Sequence, residues 1–197
     1  MTRTGIILTT SAAVVGVTLT AFIDMPKKLI WNASASTSIG FYAITPIDTF
    51  DVGDLVAVDP PETLAHFLAE RHYLPRGVPL LKHIAALPGQ RVCRIGHRII
   101  IDGVTVGEAH DRDRLGRSLP DWQGCRRVAD DELFLMNKTV RDSLDGRYFG
   151  PIPSSSIIGH AHPLWTDVSG DERSASRVDR AAALRPNTQP PTQESIP

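Results

Sequence analysis

The residues best suited to chemistry are a group of alternating serines and a lysine within an apolar segment. Ser34, Ser36 and Ser38 alternate with small residues, and Lys82 interrupts the apolar residues 80–87. Burial of a lysine disfavours the charged amine and lowers its pKa. A neutral amine can accept a proton from a serine hydroxyl, which makes the serine a nucleophile. Each segment alone has an ordinary alternative, because Ser/Ala stretches are typical of linkers and strand alternation also allows Lys82 to face solvent.

A third polar group follows much later in the chain. Asn137 is followed by Ser143, Asp145 and Arg147 within a Gly-containing segment. Asp145 and Arg147 are two residues apart, which predicts a local ion pair that fixes a loop. Ser143 is a candidate neighbour of an amine. The alternative for this segment is an ordinary surface turn.

Histidine is the obvious rival to lysine as a general base. His83 adjoins Lys82, and neighbours on a strand face opposite sides, so a Ser-His-Asp triad is disfavoured. His160 and His162 provide too few ligands for a metal site. The two cysteines, Cys93 and Cys125, are not in a C-x-x-C pair. We therefore predict no metal and no cofactor.

Composition and charge restrict the class of protein. The 197 residues include 21 basic and 22 acidic ones, with a net charge of −1. This balance argues against a nucleic-acid partner. Residues 5–23 carry no charge and approach the length of about 20 residues that spans a bilayer core. A membrane anchor, a cleaved signal peptide and a buried helix are the three interpretations, with the anchor favoured.

The remaining pattern predicts a mainly β domain. Short apolar segments separated by Gly and Asp turns are typical of a compact barrel or coiled sheet, and residues 62–72 predict a short inserted helix. The predicted strands are residues 54–58, 80–87, 91–95, 98–101, 104–106, 132–136 and 156–158. The predicted organisation is an anchor or signal segment over 1–28, a catalytic domain over 29–166 and a disordered tail over 167–197.

The three polar groups, in this order after an apolar N-terminus, resemble the type I signal peptidase (leader peptidase) superfamily. They are most similar to its TraF-type conjugative-transfer peptidases, and the resemblance covers roughly residues 1 to 165. The family's Asn-x-Ser-x-Ser-x-Pro-x-Gly-x-Tyr motif is matched by Asn32, Ser34, Ser36, Gly40 and Tyr42. Its lysine strand ending in Leu-Pro-Gly is matched by Lys82, Leu87, Pro88 and Gly89. Its Ser-x-Asp-x-Arg-Tyr-Phe-Gly-Pro motif is matched by residues 143–151.

The chain departs from the family pattern at one position of the first motif. Ser38 stands where the family has proline, which would fix φ and remove a backbone donor. Ser38 is therefore an alternative nucleophile. Ser36 is preferred because Gly40 and Tyr42 fix the register of the motif.

The resemblance implies a Ser-Lys dyad, a signal-peptidase-like fold and roles for the polar residues. Ser36 is the implied nucleophile and Lys82 its general base, and the Ser34 hydroxyl and the Ser36 N–H are the implied oxyanion donors. Ser143 resembles the serine that orients the lysine. Asp145 and Arg147 resemble a supporting acid and its ion partner.

The resemblance also implies a location and partners. The catalytic domain is expected on the periplasmic side of the cytoplasmic membrane, where Cys93 and Cys125 would form a disulfide. The implied partners are a precursor peptide or prepilin, the membrane and components of a conjugation or secretion apparatus. The fate of an acyl-enzyme, by water or by a peptide amine, stays open.

Three alternative functions remain. The first is a non-catalytic membrane-anchored assembly factor of the same fold. The second is a housekeeping signal peptidase I. The third is a self-cleaving repressor-type protease, which the apolar N-terminal segment disfavours.

Overall fold

Strands dominate the computed structural model, which describes residues 3–20 and 29–167. The described helices are α1 (Arg3–Thr20), α2 (Glu62–Glu70) and α3 (Gly146–Phe149). The strands are β1 (Leu29–Asn32), β2 (Ile39–Thr45), β3 (Leu55–Val58), β4 (Leu80–Ala86), β5 (Arg91–Ile95), β6 (Arg98–Ile101), β7 (Val104–Glu108), β8 (Gly124–Arg127), β9 (Glu132–Leu135), β10 (Ile152–Pro153) and β11 (Ile157–Asp167). A single 3₁₀ turn, Ser154–Ser156, leads into β11.

The strands form two antiparallel sheets. The larger has the order β1-β2-β11-β3-β4-β9-β10, and the smaller has the order β7-β6-β5-β8. Strand β4 lies between β3 and β9, with Lys82 opposite Val56 of β3. Because β4 has a neighbour on both edges, its backbone is fixed and Lys82 is held in the interior of the larger sheet.

A shared core joins the two sheets beside β4. Ala86 of β4, Val92 of β5, Ile99 of β6 and Phe134 of β9 belong to one buried cluster, which also includes Tyr148 of α3. Full burial of each large apolar side chain of this kind contributes about 1.5–3 kcal/mol. The cluster therefore fixes α3, and the segment before it, against β4 and β9.

The predicted fold class is confirmed as mainly β, with a helix inserted between β3 and β4. The strands expected at 91–95 and 98–101 have those bounds, and Asp102 and Gly103, both with positive φ, form the turn between β6 and β7. β1, β2, β8 and β10 were not predicted. In β1 and β2 apolar residues occupy both faces, since Trp31 is exposed while Ile30 is buried, so the sequence lacks the alternation that marks a strand.

The N-terminal helix α1 begins at Arg3 and ends at Thr20. Within residues 3–20 and 29–167, no helix combines the length and the hydropathy needed to cross a membrane. The predicted anchor continues through residues 21–28, which lie outside the described residues, and the predicted tail beyond Asp167 does so too. Asp167 itself ends β11.

Candidate active site

The first motif forms the turn between β1 and β2, and the Asn32 side chain organises it. Asn32 Nδ2 donates to three backbone carbonyls of the turn, those of Ser34, Thr37 and Ser38, at 2.9, 3.2 and 3.0 Å. Asn32 Oδ1 accepts from the Ser34 N–H at 3.0 Å. A single buried amide thus fixes the backbone on both sides of Ser36.

A tyrosine hydroxyl adds a second tie where the family motif has proline. Tyr42 is buried, and its hydroxyl donates to the Ser38 carbonyl at 2.7 Å. The Ser38 carbonyl therefore accepts from both Asn32 and Tyr42. These bonds restrain the turn at the position where the family proline would restrain φ.

Gly40 is required by the close approach of two strands. Its φ is +154°, and a Cβ at this position would lie 2.0 Å from the Trp165 carbonyl oxygen of β11. Only glycine permits this approach. The motif glycine therefore sets how β2 lies against β11 and, through β2, where the serine turn sits.

Ser34 and Ser36 are bonded to each other within the turn. The Ser34 hydroxyl donates to Ser36 Oγ at 3.0 Å, and the Ser36 N–H donates to Ser34 Oγ at 3.2 Å. Ser34 is exposed and Ser36 is half-buried. Ser36 is thus accessible to a ligand, and its hydroxyl and N–H face a second hydroxyl.

Lys82 is buried inside β4, and the alternative in which it faces solvent is wrong. The residue is 3% exposed, and its Nζ donates to Ser143 Oγ at 2.9 Å. Desolvation lowers the pKa of the amine from 10.5 to about 8, while Asp145 opposes this shift and Arg147 adds to it. About a tenth of the amine is thus neutral at pH 7, far more than for an ordinary lysine.

Ser143, Asp145 and Arg147 lie together in the segment that leads into α3. The Asp145 side chain caps α3 by accepting a hydrogen bond from the Arg147 backbone N–H. Its carboxylate also accepts hydrogen bonds from Arg147 Nε and Nη2, each at 2.9 Å. Arg147 Nη2 also donates to the carbonyls of Asn137 and Val140. The surface-turn alternative is excluded, because Ser143, Asp145 and Arg147 are buried.

Asn137 connects the serine turn to the lysine strand. Its Nδ2 donates to the Ser36 carbonyl and, at 3.2 Å, to the Leu81 carbonyl, next to Lys82. Its backbone N–H donates to Asp145 at 3.0 Å. Asn137 opens the third motif, but its link to Ser36 spans 101 positions of the chain and leaves no local signal in the sequence.

Arg94 is a buried residue that sequence reasoning missed. It lies in β5, and its Nη1 donates to the Arg147 carbonyl at 2.8 Å while its Nη2 lies 3.1 Å from Asp121. It therefore supports α3 from the smaller sheet. The only sign of its burial in the sequence is that Arg94 lies two residues after Val92 and therefore on the same face of β5.

A cavity of about 600 Å³ lies beside these groups, lined by Ser34, Ser36 and Ser143 among others. Lys82 is behind Ser143 rather than on the cavity surface. Within the described residues no hydrogen bond joins Ser36 Oγ to Lys82 Nζ. The structure thus places Ser36 and Ser143, the partner of Lys82, in the lining of one cavity, without a hydrogen bond between Ser36 and Lys82.

His72 and His110 line the cavity, but within the described residues no histidine is hydrogen-bonded to Ser36 or Lys82. His83 approaches Asn137 Oδ1 with its N–H and its ring. His160 Nε2 is 3.6 Å from Asp54, and His162 Nε2 is 3.0 Å from Thr45 Oγ1. Over the described ranges no group of three metal-binding side chains is present.

Cys93 and Cys125 form a disulfide, as predicted. They face each other in the register of β5 and β8. The bond closes a connection of 32 positions. It ties β8 to the strand that carries Arg94.

Comparison with known proteins gives one family and several relatives. The model of the family described as "Signal peptidase, peptidase S26" matches residues 1–165. A conjugal transfer protein TraF of Agrobacterium fabrum is 35% identical over 68% of this chain and 81% of its own length. A second, from Agrobacterium tumefaciens, is 36% identical over 83% of this chain and 96% of its own. A signal peptidase I structure from Enterococcus faecalis is 18% identical, with a TM-score of 0.35 over 58% of this chain and 97% of that one.

Proposed function

Because the chain belongs to the signal peptidase family, peptidase S26, in its TraF-type branch, we propose that it is a serine endopeptidase. Ser36 is the nucleophile and Lys82 the general base. The substrates are precursor proteins that carry a signal peptide or belong to the pilin type. The reaction serves conjugative transfer at the outer face of the cytoplasmic membrane.

One observation carries the proposal: a buried lysine amine with a pKa of about 8 lies beside a cavity that is lined by a half-buried serine. A lysine buried in a sheet interior lowers the stability of the fold unless it is paired. Such a lysine is therefore a candidate for a functional role. The Lys82 amine donates to an uncharged hydroxyl, that of Ser143. Such an environment favours the neutral amine that a general base requires.

The proposed reaction has two stages, formation of an acyl-enzyme on Ser36 and release of the acyl group. Neutral Lys82 takes the Ser36 proton as Ser36 Oγ bonds to the scissile carbonyl carbon. The C–N bond then breaks, and the protonated lysine gives its proton to the leaving amine. Water or a peptide amine then attacks the acyl carbon while Lys82 accepts its proton; the Oγ–C bond breaks, and Lys82 returns that proton to Ser36 Oγ.

The free site must rearrange slightly for this chemistry. The Ser36 hydroxyl and N–H are bonded to Ser34 Oγ in the free protein. A bound carbonyl would replace these bonds, so the Ser36 N–H and the Ser34 hydroxyl become the oxyanion donors. Catalytic hydrogen bonds are often loose in a free enzyme and tighten when substrate binds.

The proposed location rests on the disulfide and on the relatives. Disulfides persist in oxidising compartments such as the periplasm, and the two Agrobacterium relatives are named conjugal transfer proteins. We place the catalytic domain outside the cytoplasmic membrane, with the N-terminal segment as its anchor. Resistance of the full chain to carbonate extraction, lost when residues 1–28 are deleted, tests the anchor.

The function is tested by processing of a panel of prepilins and preproteins by membranes that contain the protein. Ser36→Ala and Lys82→Ala should each lower cleavage by at least about 10³-fold. The matched controls Ser38→Ala and Lys138→Ala should cleave normally, since Lys138 is exposed. For the wild type, kcat/KM should rise about tenfold per pH unit up to pH 8 and then level off, because only the neutral amine is active.

The outcomes separate the alternatives. Loss of activity in Ser38→Ala but not in Ser36→Ala would identify Ser38 as the nucleophile. Cleavage of ordinary preproteins in preference to prepilins would favour a housekeeping signal peptidase I. Conjugation that depends on the chain but survives both dyad substitutions would favour a non-catalytic assembly factor.

A further inference from the structure

The lining of the cavity is rich in arginine. The arginine-rich part is formed by residues 71–73, which follow α2, and by residues 112–117 between β7 and β8. We call the four arginines that line the cavity the arginine wall: Arg71, Arg112, Arg114 and Arg117. Only two aspartates, Asp113 and Asp142, line the same cavity.

Both aspartates are already paired within the wall. Asp113 accepts from the Tyr73 hydroxyl and from Arg117 Nε, the latter at 2.7 Å. Burial alone would raise the pKa of Asp113, but these hydrogen bonds outweigh it and lower the pKa. Asp142 accepts from Arg114 Nη2 at 2.6 Å, which lowers its pKa as well. Neither carboxylate is left to neutralise another arginine.

The other two arginines are held through backbone carbonyls rather than through carboxylates. Arg71 Nη1 donates to the Ser118 carbonyl at 2.8 Å, and Arg112 Nη1 donates to the Gly116 carbonyl at 2.7 Å. In the described part of the chain neither guanidinium has a carboxylate partner. A guanidinium carries five N–H donors, so each retains unused donors and an unneutralised charge at the cavity.

The wall is built before any ligand arrives. Arg117 Nη1 donates to the Arg71 carbonyl at 3.0 Å, and the Arg117 guanidinium stacks over the Tyr73 ring at 4.8 Å. Together with the bond from Arg71 to Ser118, these contacts tie the two segments to each other. Ordered donors bind a ligand at a lower entropic cost than mobile ones.

We propose that Arg71 and Arg112 form a subsite for a carboxylate of the peptide substrate, so that clients carry an acidic side chain or a free C-terminus a few residues from the cut bond. The inference rests on the proposed peptidase function, because Ser36 lines the same cavity. Guanidinium groups match carboxylates in a planar, two-bond geometry. A cavity of about 600 Å³ falls in the size range of specific ligand sites.

The test is capture of peptides by the full-length Ser36→Ala protein, which binds without cutting. The probe is a mixture of random decapeptides, offered once with free C-termini and once amidated, and the bound peptides are sequenced by mass spectrometry. We expect enrichment of carboxylates of about tenfold, the size of one good charged hydrogen bond. Enrichment of Asp and Glu that survives amidation assigns the subsite to a side chain, whereas a fall of about tenfold in the amount captured on amidation assigns it to the C-terminus.

Variants on the same background make the test specific. Arg71→Gln with Arg112→Gln should abolish the enrichment, whereas Arg76→Gln, an exposed arginine outside the cavity, should leave it intact. Arg112→Glu should instead enrich peptides that contain lysine or arginine. That gain cannot arise from a misfolded protein.

Different experimental outcomes would overturn the subsite and the peptidase function. Capture that shows neither enrichment of Asp and Glu nor a loss on amidation, or the same result with the double variant, would overturn the subsite even if Ser36-dependent cleavage is found. Binding of phosphatidylglycerol vesicles through Arg71 and Arg112 in place of acidic peptides would also overturn it. Enrichment that depends on Arg71 and Arg112, with no cleavage by the wild type, supports the subsite and counts against the peptidase.

Discussion

Lys82 and Ser36 are held in contrasting environments. Lys82 and its partners Ser143, Asp145 and Arg147 are buried, and several elements fix each of them. Ser36 is half-buried in a turn, where buried asparagines hold the backbone from both sides. The difference suits the two proposed roles, since a general-base lysine needs a dry environment to lose its charge, while a nucleophilic serine needs access to a substrate.

The largest effect on stability should come from a substitution among the buried residues around Lys82. Arg147→Met would leave the Asp145 carboxylate buried without its cation, which typically costs about 3–5 kcal/mol. Guanidinium unfolding measures the loss, and Trp122 reports on α3 because its indole N–H donates to the Gly146 carbonyl. Arg141→Met, at an exposed arginine nearby, should change stability by less than about 0.5 kcal/mol. Equal losses of stability in the two variants would show that the buried residues around Lys82 are no more sensitive to substitution than an exposed arginine.

The lysine itself should make stability depend on pH. The folded pKa of about 8 lies below the ordinary 10.5, so between these values the unfolded chain binds more protons and stability rises with pH. Relative to Lys82→Met, the wild type should gain up to about 3 kcal/mol between pH 8 and 10.5 and show no such trend below pH 7. Unfolding of both proteins across this range measures it. Parallel curves would show that the amine is not desolvated.

The link between the two halves should affect catalysis more than folding. Asn137→Ala removes the amide that bonds both the Ser36 and Leu81 carbonyls, so the serine turn should drift from the lysine. Misplacement of a reacting group by about 1 Å can cost 10²-fold in rate. We expect kcat to fall by about that factor on a prepilin that the wild type cuts. An unchanged kcat would show that the turn is positioned by Asn32 alone.

The smallest effect belongs to the turn itself. Tyr42→Phe removes one hydrogen bond to the Ser38 carbonyl, which keeps its bond from Asn32. The expected cost is about 0.5–1.5 kcal/mol, measured by thermal unfolding. A loss of stability as large as that of Arg147→Met would contradict the expectation that the turn is less firmly restrained than the buried residues around Lys82.

The contrast also explains what the sequence could predict. The hairpin between β5 and β6 depends on local turn residues, and the Asp145–Arg147 pair is only two residues apart, so both were accessible. The roles of Asn137 and Arg94 depend on contacts 101 and 53 positions apart along the chain. The alternation that marks a strand was hidden in β1 and β2, where Leu29, Trp31 and Phe41 remain exposed.

The segments that form the arginine wall differ in origin from the elements that carry the dyad. The wall stands on the extension of α2 and on the connection between β7 and β8, whereas Lys82 stands in the middle of a sheet. Connecting segments accept exchange far more readily than core strands. Because Arg117 and Tyr73 tie the two segments together, they form one transplantable unit. With the proposed function, exchange of that unit should change which peptides bind while Ser36 and Lys82 stay unchanged.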